Sequence, residues 1–185
     1  MHIINTPRLQ LRPCRPDDAI DIYDMLAEPD TAWWADLPQF EDEEEAESFI
    51  LWGLFSGDVC QFSIVDRESG QFFGLVQAKS PRLSGEAPDT VELGYLLCAA
   101  ARGNGYMTEA VCALRDSLFG EPSIGKLTLE ILPTNRGSLG VATRCGFVYE
   151  DQAPEQKERR FLDDSLLDRY VLTRKRYEEE ISKAA

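Results

Sequence analysis

The sequence predicts an α/β domain built on a mixed β-sheet, because segments with the period of strands are interspersed with segments with the period of helices. No internal repeat and no linker-like segment interrupts the chain, so residues 1–185 are expected to form one domain. Hydrophobic residues make up 43% and charged residues 28%, which is ordinary for a globular protein. These three observations favour a single packed core over a disordered chain.

The first third of the chain predicts one strand and two helices. Polar and apolar residues alternate over Arg8–Arg12, the period of a half-buried strand. Pro16 suits the first turn of a helix, whose apolar face recurs at Ala19, Ile22 and Leu26. The second helix begins in the acidic segment Glu41–Glu47 and continues through Phe49, Ile50 and Leu54. The acidic residues either stabilise the positive end of this helix, the favoured interpretation, or attract a cationic substrate.

The middle of the chain predicts a hairpin, a central strand and a helix. Cys60–Asp66 and Gln71–Gln77 flank a loop in which Gly70 is expected to adopt a positive φ. Val91–Leu97 follows as a central strand. A helical stripe then recurs at Met107, Ala110, Val111, Leu114 and Leu118.

The last third predicts three strands and a short helix. The first strand is Lys126–Leu132, and the helix is Asn135–Arg144, which Gly146 ends as a left-handed cap. The last two strands are predicted at Phe147–Glu150 and Arg169–Thr173.

Charge and composition exclude several classes of function. A net charge of −14 argues against nucleic-acid binding, which needs a basic face. His2 is the single histidine and lies at the N-terminus, which argues against triads with a histidine base and against zinc catalysis. The five cysteines form no C-x-x-C pair and indicate small core residues in a reducing compartment. With no apolar run of about 20 residues and no signal-peptide pattern over residues 1–12, a cytoplasmic protein without a membrane span or metal is expected.

One glycine-rich segment predicts an anion site. The strand Val91–Leu97 leads into Arg102-Gly103-Asn104-Gly105-Tyr106, which begins a helix. The first N–H groups of a helix lack internal partners, and two glycines let the backbone approach a ligand closely, as a pyrophosphate requires. A dinucleotide fingerprint would need a third glycine where the chain has Thr108, and a P-loop would need a lysine. A plain structural turn stays open as an alternative.

A second segment, around Asn135 and Ser138, adds polar side chains. Asn135 lies at a helix start and Ser138 one turn later, so both side chains can face the same cleft. Asn135 is otherwise a helix cap, and Ser138 a neutral surface residue.

Together these segments resemble the GNAT superfamily of acyl-CoA N-acyltransferases. R-G-N-G-Y-M-T-E-A over Arg102–Ala110 resembles its pyrophosphate loop, and Asn135-x-x-Ser138 followed by Gly146-Phe147 resembles its N-x-x-S…G-F signature. T-x-R-L-x-L-R over Thr6–Arg12, E-x-G-Y over Glu92–Tyr95 and the closing strand Asp168–Thr173 resemble the RimJ/RimL-like branch, which acetylates protein N-termini and related amines.

The resemblance implies a GNAT fold with a mixed sheet of six to seven strands, helices on both faces, and splayed strands 4 and 5. It implies transfer of an acetyl group from acetyl-CoA, as co-substrate, to a primary amine by direct attack in a ternary complex. The amine is a protein N-terminal α-amine or a small amine. The implied acetyl-CoA-binding residues are Tyr95, Leu96, Leu97, Arg102, Gly103, Asn104, Gly105, Tyr106, Asn135 and Ser138.

For catalysis, Glu92 is the candidate base, with Glu130 as the rival, and Ser138 is a candidate donor to the leaving sulfur. Two positions depart from the family pattern. Ala100 stands three residues before the first glycine of the phosphate loop, where the family often has Gln or Arg, and Ala142 stands where many relatives have a tyrosine that acts as general acid. Two alternatives stay open: a polyamine or aminoglycoside acetyltransferase, and a non-catalytic acyl-CoA-binding regulator. Whether the chain forms a homodimer is left open.

Overall fold

The computed structural model describes residues 2–28, 30, 31, 34, 42, 44, 45, 47, 48, 51, 59–79, 87–152 and 167–184. Most of the predicted second helix, including Phe49, Ile50 and Leu54, lies outside these residues. The strands and helices that surround the glycine-rich loop all lie within them.

The described strands form one mixed sheet, as predicted. They are β1 (Ile4–Asn5), β2 (Leu9–Pro13), β3 (Val59–Asp66), β4 (Phe72–Lys79), β5 (Thr90–Leu97), β6 (Lys126–Ile131), β7 (Val148–Gln152) and β8 (Asp168–Thr173), in the order β1-β2-β3-β4-β5-β6-β8-β7. The pair β5–β6 is parallel, and the other six described pairs are antiparallel. The prediction of six to seven strands was wrong in number, because β1 pairs through two residues only and is too short to show an alternating pattern.

The described helices lie on both faces of the sheet, as the resemblance implied. They are α1 (Ala19–Ala27), α2 (Tyr106–Phe119), α3 (Arg136–Arg144) and α4 (Arg174–Ala184), with single 3₁₀ turns at Pro16–Asp18 and Ala99–Ala101. None of the helices in the described ranges is long and apolar enough to span a membrane. Helix α4 was not predicted, because its sequence is mostly charged and only Tyr177 stacks on the core, 4.6 Å from the ring of Phe119.

Strand alternation divides the buried residues between the two faces. The larger cluster combines alternate residues of the central strands with the apolar stripe of α2, among them Val76, Leu93, Leu129, Ala110 and Leu114. A smaller cluster forms on the opposite face, where Ile22, Met25 and Leu26 of α1 pack against Leu75 and Leu96. The sheet therefore separates α1 from the other helices.

The sheet opens between β5 and β6. Thr90–Leu93 pairs with Lys126–Leu129, and the pairing then ends. On its other edge β5 stays paired with β4 as far as Leu97. The backbone of residues 94–97 on the β6 side is therefore left without a strand partner in the described chain. This is the splay that the resemblance implied. The predicted strands 4 and 5 are β5 and β6 in the structure, because β1 was not predicted and adds one to the strand number.

A buried carboxylate fastens the start of α1 to the sheet. Asp18 is 3% exposed, and its oxygens accept hydrogen bonds from Arg12 (2.6 and 2.8 Å), from Ser63 Oγ (2.7 Å) and from the backbone N–H of Arg15 (2.8 Å). Burial alone would raise the pKa of the Asp18 carboxyl, but these hydrogen bonds outweigh it and lower the pKa below its ordinary value.

Replacing this carboxylate should destabilise the fold. We expect Asp18→Asn to lower the free energy of unfolding at pH 7 by about 3 kcal/mol, because Arg12 loses a buried partner. A lowered folded-state pKa stabilises the protein above the unfolded-state pKa and ceases to do so as pH falls through the folded-state value. The difference in urea denaturation should therefore shrink below about pH 4. Asp17→Asn, at the exposed neighbouring position, is the control, and an equal loss in both variants would contradict the assignment.

Candidate active site

A cavity of about 710 Å³ lies where the sheet opens. Its walls come from the end of β5, the loop before α2, the first turn of α2 and helix α3. Nine of the ten predicted binding residues line it: Tyr95, Leu96, Leu97, Arg102, Gly103, Gly105, Tyr106, Asn135 and Ser138. The side chain of the tenth, Asn104, instead donates to the carbonyl oxygens of Ala101 and Arg102 (3.3 and 3.1 Å). Two segments that lie thirty residues apart in sequence thus share one cavity.

The glycine-rich loop presents unpaired backbone N–H groups to this cavity. Gly103 and Gly105 have φ angles of 79° and 78°, a left-handed conformation that disfavours other residues. The first backbone hydrogen bond of α2 runs from the N–H of Glu109 to the carbonyl of Gly105 (3.1 Å). Across the described chain, no N–H group of residues 103–108 donates to another backbone or side-chain acceptor. Five of these six residues, all but Asn104, line the cavity. Unpaired donors at the positive end of a helix form a site for an anion.

The guanidinium of Arg102 lines the cavity but binds protein groups. Its Nε donates to the carbonyl of Leu97 (3.1 Å), and its Nη2 contacts Thr31 Oγ1 and Glu28 Oε2, the latter at 3.4 Å. Glu28 also accepts from the backbone N–H of Ala99 (3.0 Å). Arg102 therefore joins the end of α1 to the loop, which reduces what its charge can add to anion binding.

A cluster from the chain's N-terminal segment holds the loop from outside. Arg8 donates from Nε to Glu109 Oε2 (2.7 Å) and from Nη1 to the carbonyl of Asn104 (2.9 Å). Thr6 Oγ1 donates to the other oxygen of Glu109 (2.6 Å). The Arg8 guanidinium also covers the ring of Tyr106, with 4.6 Å from Cζ to the ring centroid. Since Asn104 accepts through its carbonyl, this contact turns the carbonyl of the Asn104–Gly105 peptide toward Arg8 and away from the open N–H groups.

The start of α3 is fixed by its own cap and by β5. Asn135 Oδ1 accepts from the N–H of Ser138 (3.0 Å), so Asn135 caps the helix while also lining the cavity. The hydroxyl of Tyr95 donates to the carbonyl of Ser138 (3.3 Å), and burial raises the pKa of Tyr95 far above its ordinary value, so this hydroxyl stays protonated. Ala142, where the family pattern led us to expect a tyrosine that acts as general acid, is fully buried.

The two candidate bases lie on the sheet beside the opening and do not line the cavity. Glu92 is 4% exposed, and its Oε1 lies 2.6 Å from Lys79 Nζ across the β4–β5 pair. Glu130, on β6, is bound by Arg169 of β8 at 3.1 Å. Thr128 is opposite Glu92 in the register, and its buried hydroxyl has no hydrogen-bond partner in the described chain.

Several lining residues were not predicted from the sequence. They are Thr31, Trp34, Met107, Thr108, Arg136, Gly137, Val141 and Arg144. Helical spacing could have identified part of this set, because Gly137, Val141 and Arg144 follow one another at intervals of four and three along one face of α3.

Comparisons with known proteins agree with this fold. The acetyltransferase (GNAT) domain family matches residues 8–148. YkkB of Bacillus subtilis is 26% identical over 148 residues, which is 78% of this chain and 84% of that protein. A Vibrio cholerae structure described as a ribosomal-protein-serine acetyltransferase superposes with a TM-score of 0.75 at 25% identity, over 93% of this chain and 97% of that one. For a spermidine N-acetyltransferase from Vibrio cholerae, with CoA and spermine, the TM-score is 0.77 at 17% identity, over 94% and 99%.

The fold is that of an acetyltransferase (GNAT) domain. The chain belongs to the GNAT acetyltransferase family, as its motifs predicted.

Valine at position 105 tests the open loop. We expect Gly105→Val to weaken CoA binding at least tenfold in calorimetry, because a β-branched residue at φ 78° must move the backbone N–H groups. Gly70→Val is the matched control, since Gly70 has a φ of 75° in a hairpin outside the cavity. Undiminished CoA affinity in Gly105→Val would contradict the assigned anion site.

Removing Arg8 tests the outer support of the loop. We expect Arg8→Ala to raise the KM for acetyl-CoA about tenfold and to leave kcat within threefold, because the Asn104 carbonyl loses its partner. Arg67→Ala is the control: Arg67 donates to the carbonyl of Thr6 (3.0 Å) and so holds the same N-terminal segment without touching the loop. If both variants change KM equally, the effect belongs to the segment and not to the contact with Asn104.

Proposed function

We propose that this chain transfers an acetyl group from acetyl-CoA to a primary amine. One observation carries the proposal: a single cavity joins the open N–H groups of residues 103–108 to the gap between β5 and β6. The N–H groups suit the diphosphate. The edge of residues 94–97, which has no strand partner on the β6 side in the described chain, suits the amide groups of the pantetheine arm, which can pair with it as a further strand would. We propose that the thioester then lies near Ser138, which lines the cavity, with Glu92 on the strand beside it.

Deprotonation of the amine is the main chemical demand. A lysine-like amine with a pKa of about 10.4 is the free base in only about 1 part in 2,500 at pH 7, whereas an α-amine near 7.7–8.0 is about 10–15% free. We assign Glu92 as the base, directly or through a water, because its carboxylate lies on β5 beside the opening, with Lys79 Nζ 2.6 Å away. Glu130, on β6 and bound by Arg169, stays the rival candidate.

Direct attack forms the N–C bond and breaks the C–S bond without a covalent enzyme intermediate. The amine proton passes to Glu92, and the sulfur leaves as a thiolate, whose conjugate thiol has an ordinary pKa of about 8.5 and so needs little help at neutral pH. Ser138 is proposed to donate a hydrogen bond to this sulfur, because its backbone is held by Asn135 and Tyr95 while the residue lines the cavity. The small Ala142 is consistent with a reaction that needs no tyrosine acid.

The amine is proposed to be a protein N-terminal α-amine or a small amine. The RimJ/RimL-like motifs and the Vibrio cholerae ribosomal-protein-serine acetyltransferase structure support the first. The acidic segment 41–47 and the spermidine N-acetyltransferase structure favour a polycation, such as a polyamine or an aminoglycoside, as the second candidate. In either case we propose one domain over residues 1–185 that works in the cytoplasm, without a metal or nucleic acid.

A thiol-release assay separates these possibilities. The wild-type protein would be given acetyl-CoA and a panel of amines: peptides with a free N-terminus, spermidine, spermine and aminoglycosides. Release with any amine supports the enzyme, and the preferred amine identifies the class. Binding of CoA without release on any amine would instead support a non-catalytic acyl-CoA-binding regulator.

The role of Glu92 can be tested by substitution. We expect Glu92→Gln to lower kcat/KM at least tenfold for an amine of high pKa and less for an α-amine, because the amide cannot accept the proton. Glu130→Gln is the comparison, since it removes the rival carboxylate from the neighbouring strand. Unchanged turnover in Glu92→Gln would remove Glu92 from the mechanism, and a larger loss in Glu130→Gln would transfer the role.

A further inference from the structure

We infer that Arg144 is a phosphate-binding side chain for the acyl carrier, at the end of α3 next to the open N–H groups. The inference rests on the proposed use of acetyl-CoA and adds a residue that neither the sequence motifs nor the family match assigns.

The charges of the two partners create the need for such a residue. Acetyl-CoA carries roughly four negative charges, two on its diphosphate and nearly two on its 3′-phosphate. The protein has a net charge of −14, so the mean field around it repels this ligand. Backbone N–H groups bring partial charges only, and full positive charges are needed close to the phosphates to offset the repulsion.

Two of the four arginines around the cavity are already paired with carboxylates. Arg8 is paired with Glu109, and Arg102 with Glu28. Arg136 and Arg144, at the two ends of α3, both line the cavity and have no carboxylate partner within the described part of the chain. Their positive charges are therefore available to a ligand.

The position of Arg144 distinguishes it from Arg136. Its Nε donates to Thr108 Oγ1 (3.3 Å), and Thr108 is the last residue of the run whose N–H groups are open. Arg136 lies in the first turn of α3, the turn whose Ser138 carbonyl accepts from Tyr95 at the sheet opening. Arg144 lies at the other end of α3 and contacts the first turn of α2. The guanidinium of Arg144 therefore borders the anion site, on the side away from the gap.

A glycine makes room for this guanidinium. A Cβ at position 140 would lie 3.1 and 3.2 Å from the two terminal nitrogens of Arg144, which shows that the side chain folds back over Gly140. Glycine inside a helix costs about 1 kcal/mol relative to alanine. The cost is explained if the glycine leaves space for the guanidinium of Arg144, whose N–H donors can then bind a phosphate.

The shared chemistry is a phosphate group, either in the diphosphate or at the 3′ position, and calorimetry can separate the two. We expect Arg144→Ala to weaken CoA binding at least tenfold in calorimetry, while the affinity for pantetheine, which has no phosphate, stays within twofold by the same method. If the loss persists with dephospho-CoA, the diphosphate is the partner; if it disappears, the 3′-phosphate is. Either result supports the inference.

Arg15→Ala controls for net charge, because Arg15 is exposed and does not line the cavity. An Arg144→Ala variant that binds CoA within twofold of wild type, or that loses pantetheine in equal measure, would overturn the inference. Failure of the proposed function would be seen separately, because the wild-type protein would then release no thiol from acetyl-CoA with any amine, whether or not it binds CoA.

A substitution at Gly140 keeps the positive charge of Arg144 but changes the position of its guanidinium. Gly140→Ala should raise the melting temperature, since alanine favours the helix, and should weaken CoA binding by a smaller factor than Arg144→Ala, because the guanidinium must shift by a few tenths of an ångström. A purely structural role for Arg144 predicts that stability and affinity change in the same direction. Higher stability with unchanged affinity would contradict the position of the guanidinium over Gly140.

Discussion

The site depends on peptide N–H groups that the fold leaves without partners where its sheet opens. The β5–β6 pairing ends after Leu93 and Leu129, and the following loop brings the N–H groups of residues 103–108 to the same cavity. Unpaired donors are costly unless water or a ligand accepts from them. A diphosphate with a long amide-bearing arm satisfies both the helix terminus and the open strand edge, which explains why the two features occur together.

Distant parts of the chain hold this loop in place. Arg8 and Thr6, about a hundred residues earlier in sequence, bind Glu109 and the carbonyl of Asn104. On the other side, Glu28 at the end of α1 binds Arg102 and the N–H of Ala99. Because α1 and the N-terminal segment are fixed to the sheet through Asp18 and β2, the loop is supported by the rigid core and not by its own flexible backbone. Donors that are already oriented need little reorganisation when an anion binds.

Local patterns predicted most of the fold, and long-range contacts account for what they missed. The hairpin around Gly70 and the left-handed Gly146 follow from a few adjacent residues, and both have the expected positive φ. The ion-pair partners of Arg102 and Glu92 do not follow from adjacent residues, because these partners, Glu28 and Lys79, belong to other elements of the fold. The sequence therefore located the loop and the cap at Asn135. It could not show which arginine side chains lack a carboxylate partner and can bind a ligand. Arg144 was missed for this reason, although helical spacing places it on the same face of α3 as Val141.

Amide chemical shifts report most directly on whether backbone N–H groups bind the carrier. In a titration of ¹⁵N-labelled protein with CoA, we expect the largest downfield proton shifts at residues 103–108, since these amides exchange water for charged phosphate oxygens. Unchanged shifts across this run, with CoA bound elsewhere, would contradict the central claim.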